Sequence, residues 1–228
     1  MPTPTPAPEH KVIITGTGRA GTTFMVHLLS VLGLDTGISG KNWHKKYFEH
    51  CHAGLEHDIL DPKTPYIVKN PALCETLRPA LATGRFIIDH AYVPVRDLDA
   101  VAASRASVGG TDGSKPGGLW GTADPSRQGA VMAELFHNLV HTLAVNEIPV
   151  TFLHFPRLVR DPAYTYRKLA FLVSGVDFAT FSEAFGRVAD PSLVHNFSDG
   201  APQPAPAPAP AARTRKLPLG LGRLFPSW

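Results

Sequence analysis

Short apolar runs alternate along this chain with stretches whose apolar residues recur every three or four positions, and that alternation is its dominant pattern. Lys11 to Thr15, with Val12, Ile13 and Ile14 in succession, reads as a buried strand. A glycine-rich stretch follows, and Thr22 to Leu32 then places Met25, Leu28, Leu29 and Leu32 on one helical face. Gly33 and Gly37 end that helix. Pro65 to Lys69 predicts a second strand and Leu73 to Ala82 a helix. Phe86-Ile87-Ile88 is an apolar run leading toward a strand at Tyr92-Val93-Pro94-Val95. Helices are expected over Leu98 to Ser107 and Ser126 to Asn146, then a strand from Val150 to His154 and a helix containing Leu169, Phe171 and Leu172. The alternation predicts an α/β fold, a three-layer parallel sheet with helices on both faces that binds ligands at the carboxyl ends of its strands. No internal repeat interrupts it.

Two segments break the rhythm. Gly109 to Asp124 carries Gly109, Gly110, Gly113, Gly117, Gly118 and Gly121 and is too long for a simple connection. It reads as a lid over a substrate, with Trp120 the residue expected to touch it, or else as a disordered loop. Ser39 to Leu60 concentrates Trp43, His44, Tyr47, Phe48, Glu49, His50, His52, Glu56 and His57.

Composition sets the boundaries. An apolar content of 43% is enough for one real core in a chain of 228 residues. Four prolines lie in residues 1–10 and seven after Asp199, so residues 1–10 are expected to be a disordered Pro-rich start, residues 11–199 the folded domain, and residues 200–228 a Pro/Ala-rich basic tail. Residues 11–199 hold 18 basic and 18 acidic residues, whereas residues 200–228 hold four basic and none acidic. A neutral domain gives no reason to expect nucleic acid as a partner. The start has neither the basic nor the apolar region of a secretory signal, and no apolar run approaches a membrane span. Cys51 and Cys74 are too few for a disulfide framework, which favours a reduced, cytoplasmic setting.

The chemistry begins at Gly16-Thr17-Gly18-Arg19-Ala20-Gly21-Thr22-Thr23, between the first strand and the first helix. Glycines let backbone N–H groups turn inward, and the helix N-terminus adds partial positive charge, so the loop suits an anion. In the phosphate-binding pattern G-x-x-x-x-G-K-[ST] a lysine follows the last glycine. Thr22 stands there in this chain, and Arg19 is the loop's only cation.

Arg19-Ala20-Gly21-Thr22-Thr23 resembles the 5′-phosphosulfate loop of sulfotransferases that use 3′-phosphoadenosine 5′-phosphosulfate (PAPS). Arg96 at a strand end and Ser104 eight residues later on a helix are similar to that family's 3′-phosphate site, since about two helical turns return to one face. Phe155 to Pro162 resembles a later family stretch, keeping Leu158 and Asp161-Pro162 but lacking its acidic pair. The likeness spans about residues 11 to 175. It implies a P-loop NTPase-like fold and transfer of a sulfuryl group to a hydroxyl or amine of a small-molecule or lipid acceptor, with no metal required. It also implies that Gly18, Arg19, Ala20, Gly21, Thr22 and Thr23 hold the phosphosulfate, that Arg96 and Ser104 hold the 3′-phosphate, and that Phe155 contacts adenine. Lys69 resembles a recurrent strand-end lysine facing the sulfuryl group. Cytosolic members place a histidine base two residues later, where this chain has Pro71; other members draw a glutamate from the segment after the loop helix. Glu56 is the first choice here, followed by Glu49, His44 and His57. The oligomeric state is not read from the sequence.

Other readings compete. Phe86-Ile87-Ile88-Asp89 is similar to a strand ending in a magnesium-binding aspartate, which would suit a nucleoside-triphosphate-dependent kinase of small molecules. A protein that binds nucleotide without turnover is a third reading, suggested by Pro71. His44, His50, Cys51, His52 and His57 invite a zinc site but match no standard ligand spacing. His137 and His141 stand at the border of a stripe formed by Leu135, Leu139 and Leu143.

Overall fold

A computed structural model describes residues 7–108 and 116–193. The expected N-terminal residues 1–6, part of the proposed lid (109–115) and the basic tail lie outside the described residues. The elements run β1 (Glu9–Ile14), α1 (Thr22–Val31), α2 (Trp43–Lys46), β2 (Tyr47–Phe48), β3 (Ala53–Gly54), β4 (Ile67–Lys69), α3 (Leu73–Ala82), β5 (Phe86–Val95), α4 (Leu98–Ser107), α5 (Gln128–Val145), β6 (Val150–His154), α6 (Pro162–Lys168), α7 (Ala170–Val173) and α8 (Phe178–Val188).

Four strands form a parallel sheet in the order β4-β1-β5-β6. Its register pairs Ile14 with Lys69 on one side and with Tyr92 on the other, so the loops after β1, β4 and β5 leave from one edge. Side chains alternate across the sheet because the strand period is two. Val12, Ile14, Tyr92 and Leu153 meet α1 and α8 through Met25, Leu28, Phe181 and Phe185, all buried. Ile13, Val68, Ala91 and Val93 meet α3 and α5 through Leu73, Leu77, Met132 and Leu139 on the opposite face. Helices therefore cover both faces, as the hydrophobic pattern predicts. The chain leaves β1 for one face and β4 and β5 for the other, which opens a crevice at the carboxyl end of β1.

Several boundaries differ from the sequence reading. β1 begins at Glu9, inside the stretch expected to be disordered, where Glu9 N–H donates to the Arg85 carbonyl at 2.7 Å. Phe86 to Val95 is one strand, although Asp89 and His90 break its apolar pattern. Neighbours satisfy those polar groups: Asp89 pairs with His10 Nδ1 at 2.6 Å and accepts from Tyr66 Oη at 2.9 Å, and His90 Nε2 meets Thr151 Oγ1 at 2.8 Å. A short 3₁₀ turn, Pro125–Arg127, precedes α5 where a helical start at Ser126 was expected. α8 was not foreseen; Asp177 caps it by accepting from Thr180 N–H at 2.9 Å, and Phe181, Ala184 and Phe185 bury its inner face.

Candidate functional site

The crevice is a cleft of about 1140 Å³. That exceeds the 300–1,000 Å³ or so of ordinary small-ligand pockets. The glycine-rich loop forms one wall. Gly16, Gly18 and Gly21 have φ of 133°, 71° and 90°, and Arg19 itself has φ 55°, which side-chain-bearing residues rarely adopt. Gly21 allows a close approach as well: a Cβ there would stand 3.1 Å from Leu158 Cδ2 and 3.2 Å from Phe155 Cδ2. α1 starts directly after it with no side-chain cap. The first N–H groups of any helix lack intrahelical acceptors, so this end presents donors and partial positive charge to the cleft. Thr22 and Thr23 line the cleft with Gly18, Arg19 and Gly21. Ala20 does not; it is 1% exposed and packs into the core between the sheet and α1. Its expected contribution to anion binding is thus confined to the backbone.

Arg19 links the expected sites. Its Nε donates to Ser104 Oγ at 3.0 Å, its Nη1 donates to the Cys51 carbonyl, and its own carbonyl accepts from Arg96 Nη1 at 3.0 Å. Arg96 and Ser104 therefore meet on one arginine rather than on each other. Arg96 lies over the Phe155 ring at 4.9 Å, and both line the cleft. Burial lowers the pKa of Arg19 and of Arg96, the latter helped by the charge of Arg19. Among the described residues neither Arg19 nor Arg105 has a carboxylate within ion-pair distance.

Lys69 ends β4 on the second wall and is 1% exposed. Its ammonium donates to the Gly54 carbonyl at 2.7 Å and to Glu56 Oε1. Burial depresses its pKa, and the neighbouring Glu56 carboxylate opposes that fall. Glu56 is aimed there by the β2–β3 hairpin. Tyr47 pairs with Gly54, Leu55 N–H donates to the Lys46 carbonyl at 2.7 Å, and His57 N–H donates to the Lys69 carbonyl at 3.0 Å. Gly54 has φ 107°, and a Cβ there would sit 2.0 Å from the Lys46 carbonyl oxygen. Only glycine fits at that corner. Of the four residues considered as a base, Glu56 lines the cleft, while Glu49, His44 and His57 do not. His57 instead faces Lys46 Nζ at 3.3 Å, and burial, reinforced by that cation, lowers its pKa.

An aromatic wall completes the cleft. Trp43 stacks on Tyr47 with ring centroids 4.8 Å apart, His27 packs on Trp43 at 4.2 Å, and Tyr47 Oη meets His52 Nδ1 at 3.0 Å. Trp120 lines the cleft as expected for the lid segment. The zinc reading loses its geometry: among the described residues no three His, Cys, Asp or Glu side chains gather around a point. Asp89 is not at the strand's carboxyl end. It lies six residues before Val95, or about 20 Å at 3.3 Å per residue, and is held by His10 and Tyr66.

No protein family, no curated protein and no solved structure matches this chain.

One residue of the site escaped the sequence reading. Arg105 follows Ser104 on α4 and lies in the cleft wall at 5% exposure, beside Gly18 and over Trp120. Its adjacency to Ser104 was visible, but a long cation near a helix end reads more simply as solvated. Among the described residues no helix is long and apolar enough to cross a bilayer.

Proposed function

We propose that the cleft binds PAPS and transfers its sulfuryl group to a small-molecule or lipid acceptor carrying a hydroxyl or amine, on a P-loop NTPase-like scaffold. The observation that carries this reading is the convergence of two walls. One presents a lysine-free anion loop with Arg19, Thr22 and Thr23; the other presents Glu56 paired with the buried Lys69.

On this reading the loop N–H groups, Arg19 and the two threonine hydroxyls hold the phosphosulfate, with Arg96 and Ser104 toward the 3′-phosphate. Glu56 takes the proton of the acceptor hydroxyl as its oxygen bonds to sulfur, and the bond from sulfur to the bridging oxygen breaks with its electron pair going to the phosphate. Lys69 and Arg19 face the negative charge that develops there. Trp43 and Tyr47 offer a flat apolar surface to the body of the acceptor. A magnesium-dependent kinase has less support, because Asp89 stands on the half of β5 remote from the loop.

Calorimetric titration with adenosine 3′,5′-bisphosphate, without metal, tests the proposal against titration with ATP and magnesium. The bisphosphate should bind the native protein, and Arg96→Ala should weaken it about 10- to 100-fold, the loss for a hydrogen bond to a charged group. Preference for ATP with magnesium, indifferent to Arg96→Ala, would overturn it. Transfer of sulfuryl from PAPS across a panel of hydroxyl and amine acceptors then separates turnover from binding alone.

A further inference from the structure

Arg105 is a buried cation that the transfer chemistry above leaves unused. Its guanidinium spans two separate segments of the cleft wall. Nη2 donates to the Thr17 carbonyl of the glycine-rich loop at 2.6 Å, and Nη1 donates to the Gly118 carbonyl at 2.7 Å. Nε is buried with no partner among the described residues, and the guanidinium carbon lies 4.9 Å from the centre of the Trp120 ring. The 116–121 segment is held from its other side too. Gln128, fully buried, accepts from Trp120 N–H at 2.7 Å and donates to the Trp120 carbonyl at 3.1 Å. Gly117 comes so close to the loop that a Cβ would stand 3.4 Å from Arg19 Nη1. Gly18 leaves the guanidinium its space: a Cβ there would lie 2.8 Å from Arg105 Nη2.

A neutral amide could tie two carbonyls together. A buried guanidinium with no carboxylate partner among the described residues is costly unless an anion shares the site, because an isolated charge loses its water. We propose that Arg105 is a positioning residue that fastens the 116–121 segment to the glycine-rich loop, so that one cation orders both segments around a bound phosphate or phosphosulfate. The tie itself is independent of the sulfotransferase reading; the ordering by ligand rests on it.

Hydrogen exchange of the full chain, followed by mass spectrometry, tests the proposal in the native protein, Arg105→Gln, Arg105→Lys and Gly18→Ala, each with and without adenosine 3′,5′-bisphosphate or pyrophosphate. In Arg105→Gln the amides of residues 15–21 and 116–121 should exchange together, at least about tenfold faster, while α3 and β5 keep their protection. Arg105→Lys, with one point donor in place of a fork, should restore only part of it. Ligand should protect both segments of the native protein at once and bind Arg105→Gln about tenfold more weakly or worse. Faster exchange spread over the whole chain, or confined to one of the two segments, would overturn the tie. If Arg105→Gln does not fold, Gly18→Ala, which displaces the same guanidinium from the other side, carries the comparison. If the native protein binds neither probe, the anion reading and the ordering by ligand fall together, and exchange in the free protein decides the tie alone.

Discussion

Replacing Glu56 with glutamine keeps the shape of the side chain and removes the one carboxylate beside a nearly inaccessible ammonium. Removing one partner of a fully buried ion pair costs about 3–5 kcal/mol. The Glu56 side chain is 36% exposed and Lys69 keeps the Gly54 carbonyl, so solvent and that hydrogen bond reduce the expected loss to about 1–2 kcal/mol near neutral pH. The loss should depend on pH in a definite direction. Burial lowers the Lys69 pKa from its ordinary 10.5, Glu56 opposes this, and the variant lacks that opposition. Between the folded and unfolded pKa values the native state binds fewer protons than the unfolded state, so stability rises with pH through that window. The deficit of Glu56→Gln is therefore greatest near neutrality and shrinks as pH climbs toward 10.5. Guanidinium unfolding at a series of pH values measures it. A parallel single-turnover assay should show sulfuryl transfer reduced about 10²- to 10⁴-fold, the usual loss for a general base. A variant as stable as the native protein at neutral pH would refute the pairing, and a deficit unchanged across the window would refute its electrostatic origin. Full turnover would remove Glu56 from the base role.

Two further outcomes concern the glycine-rich loop and the core beneath it. Gly21→Ala places a methyl group against Leu158 and Phe155 at a φ of 90°, and should cost about 1–3 kcal/mol in chemical denaturation while weakening anion binding in the same titrations; unchanged affinity would show that the loop tolerates a shift. Burial raises the Cys74 thiol from 9.0 to about 12, so the native state keeps a proton that the unfolded state gives up above 9.0. Stability should fall as pH rises through that window, by about 1 kcal/mol at pH 10, and this slope should vanish in Cys74→Ala; an identical slope in both proteins would assign the loss to other groups.

The sheet was legible because its strands carry short apolar runs and α3 carries a clear stripe, and Leu73–Ala82, Leu98–Ser107 and Val150–His154 stand where the pattern put them. β5 was harder, since Asp89 and His90 look like a break until His10, Tyr66 and Thr151 are seen to satisfy them. α8 was missed although Phe178, Phe181, Phe185 and Val188 recur at helical spacing behind the capping Asp177. In the site, the loop, Lys69 and Glu56 could be named from the chain alone. Their meeting could not, because the corner at Gly54 and Leu55 that turns Glu56 toward Lys69 has no sequence pattern beyond one glycine. Arg105 stayed hidden for a related reason. The acceptors it serves are backbone carbonyls, which every residue type provides.

The position of β1 has a consequence for how this cleft comes into being during synthesis. Among the described residues β1 comes first in chain order, yet its partners are β4 and β5, with Val12 waiting for Ile67 and Ile14 for Tyr92. Closing such long loops is slow compared with local helix formation. As the chain emerges, Arg19 has no Ser104 or Arg96 to meet until β5 and α4 have followed. The glycine-rich loop is thus among the earlier parts of the domain to appear and among the later ones to acquire its shape, because its partners on β5 and α4 follow it by many residues.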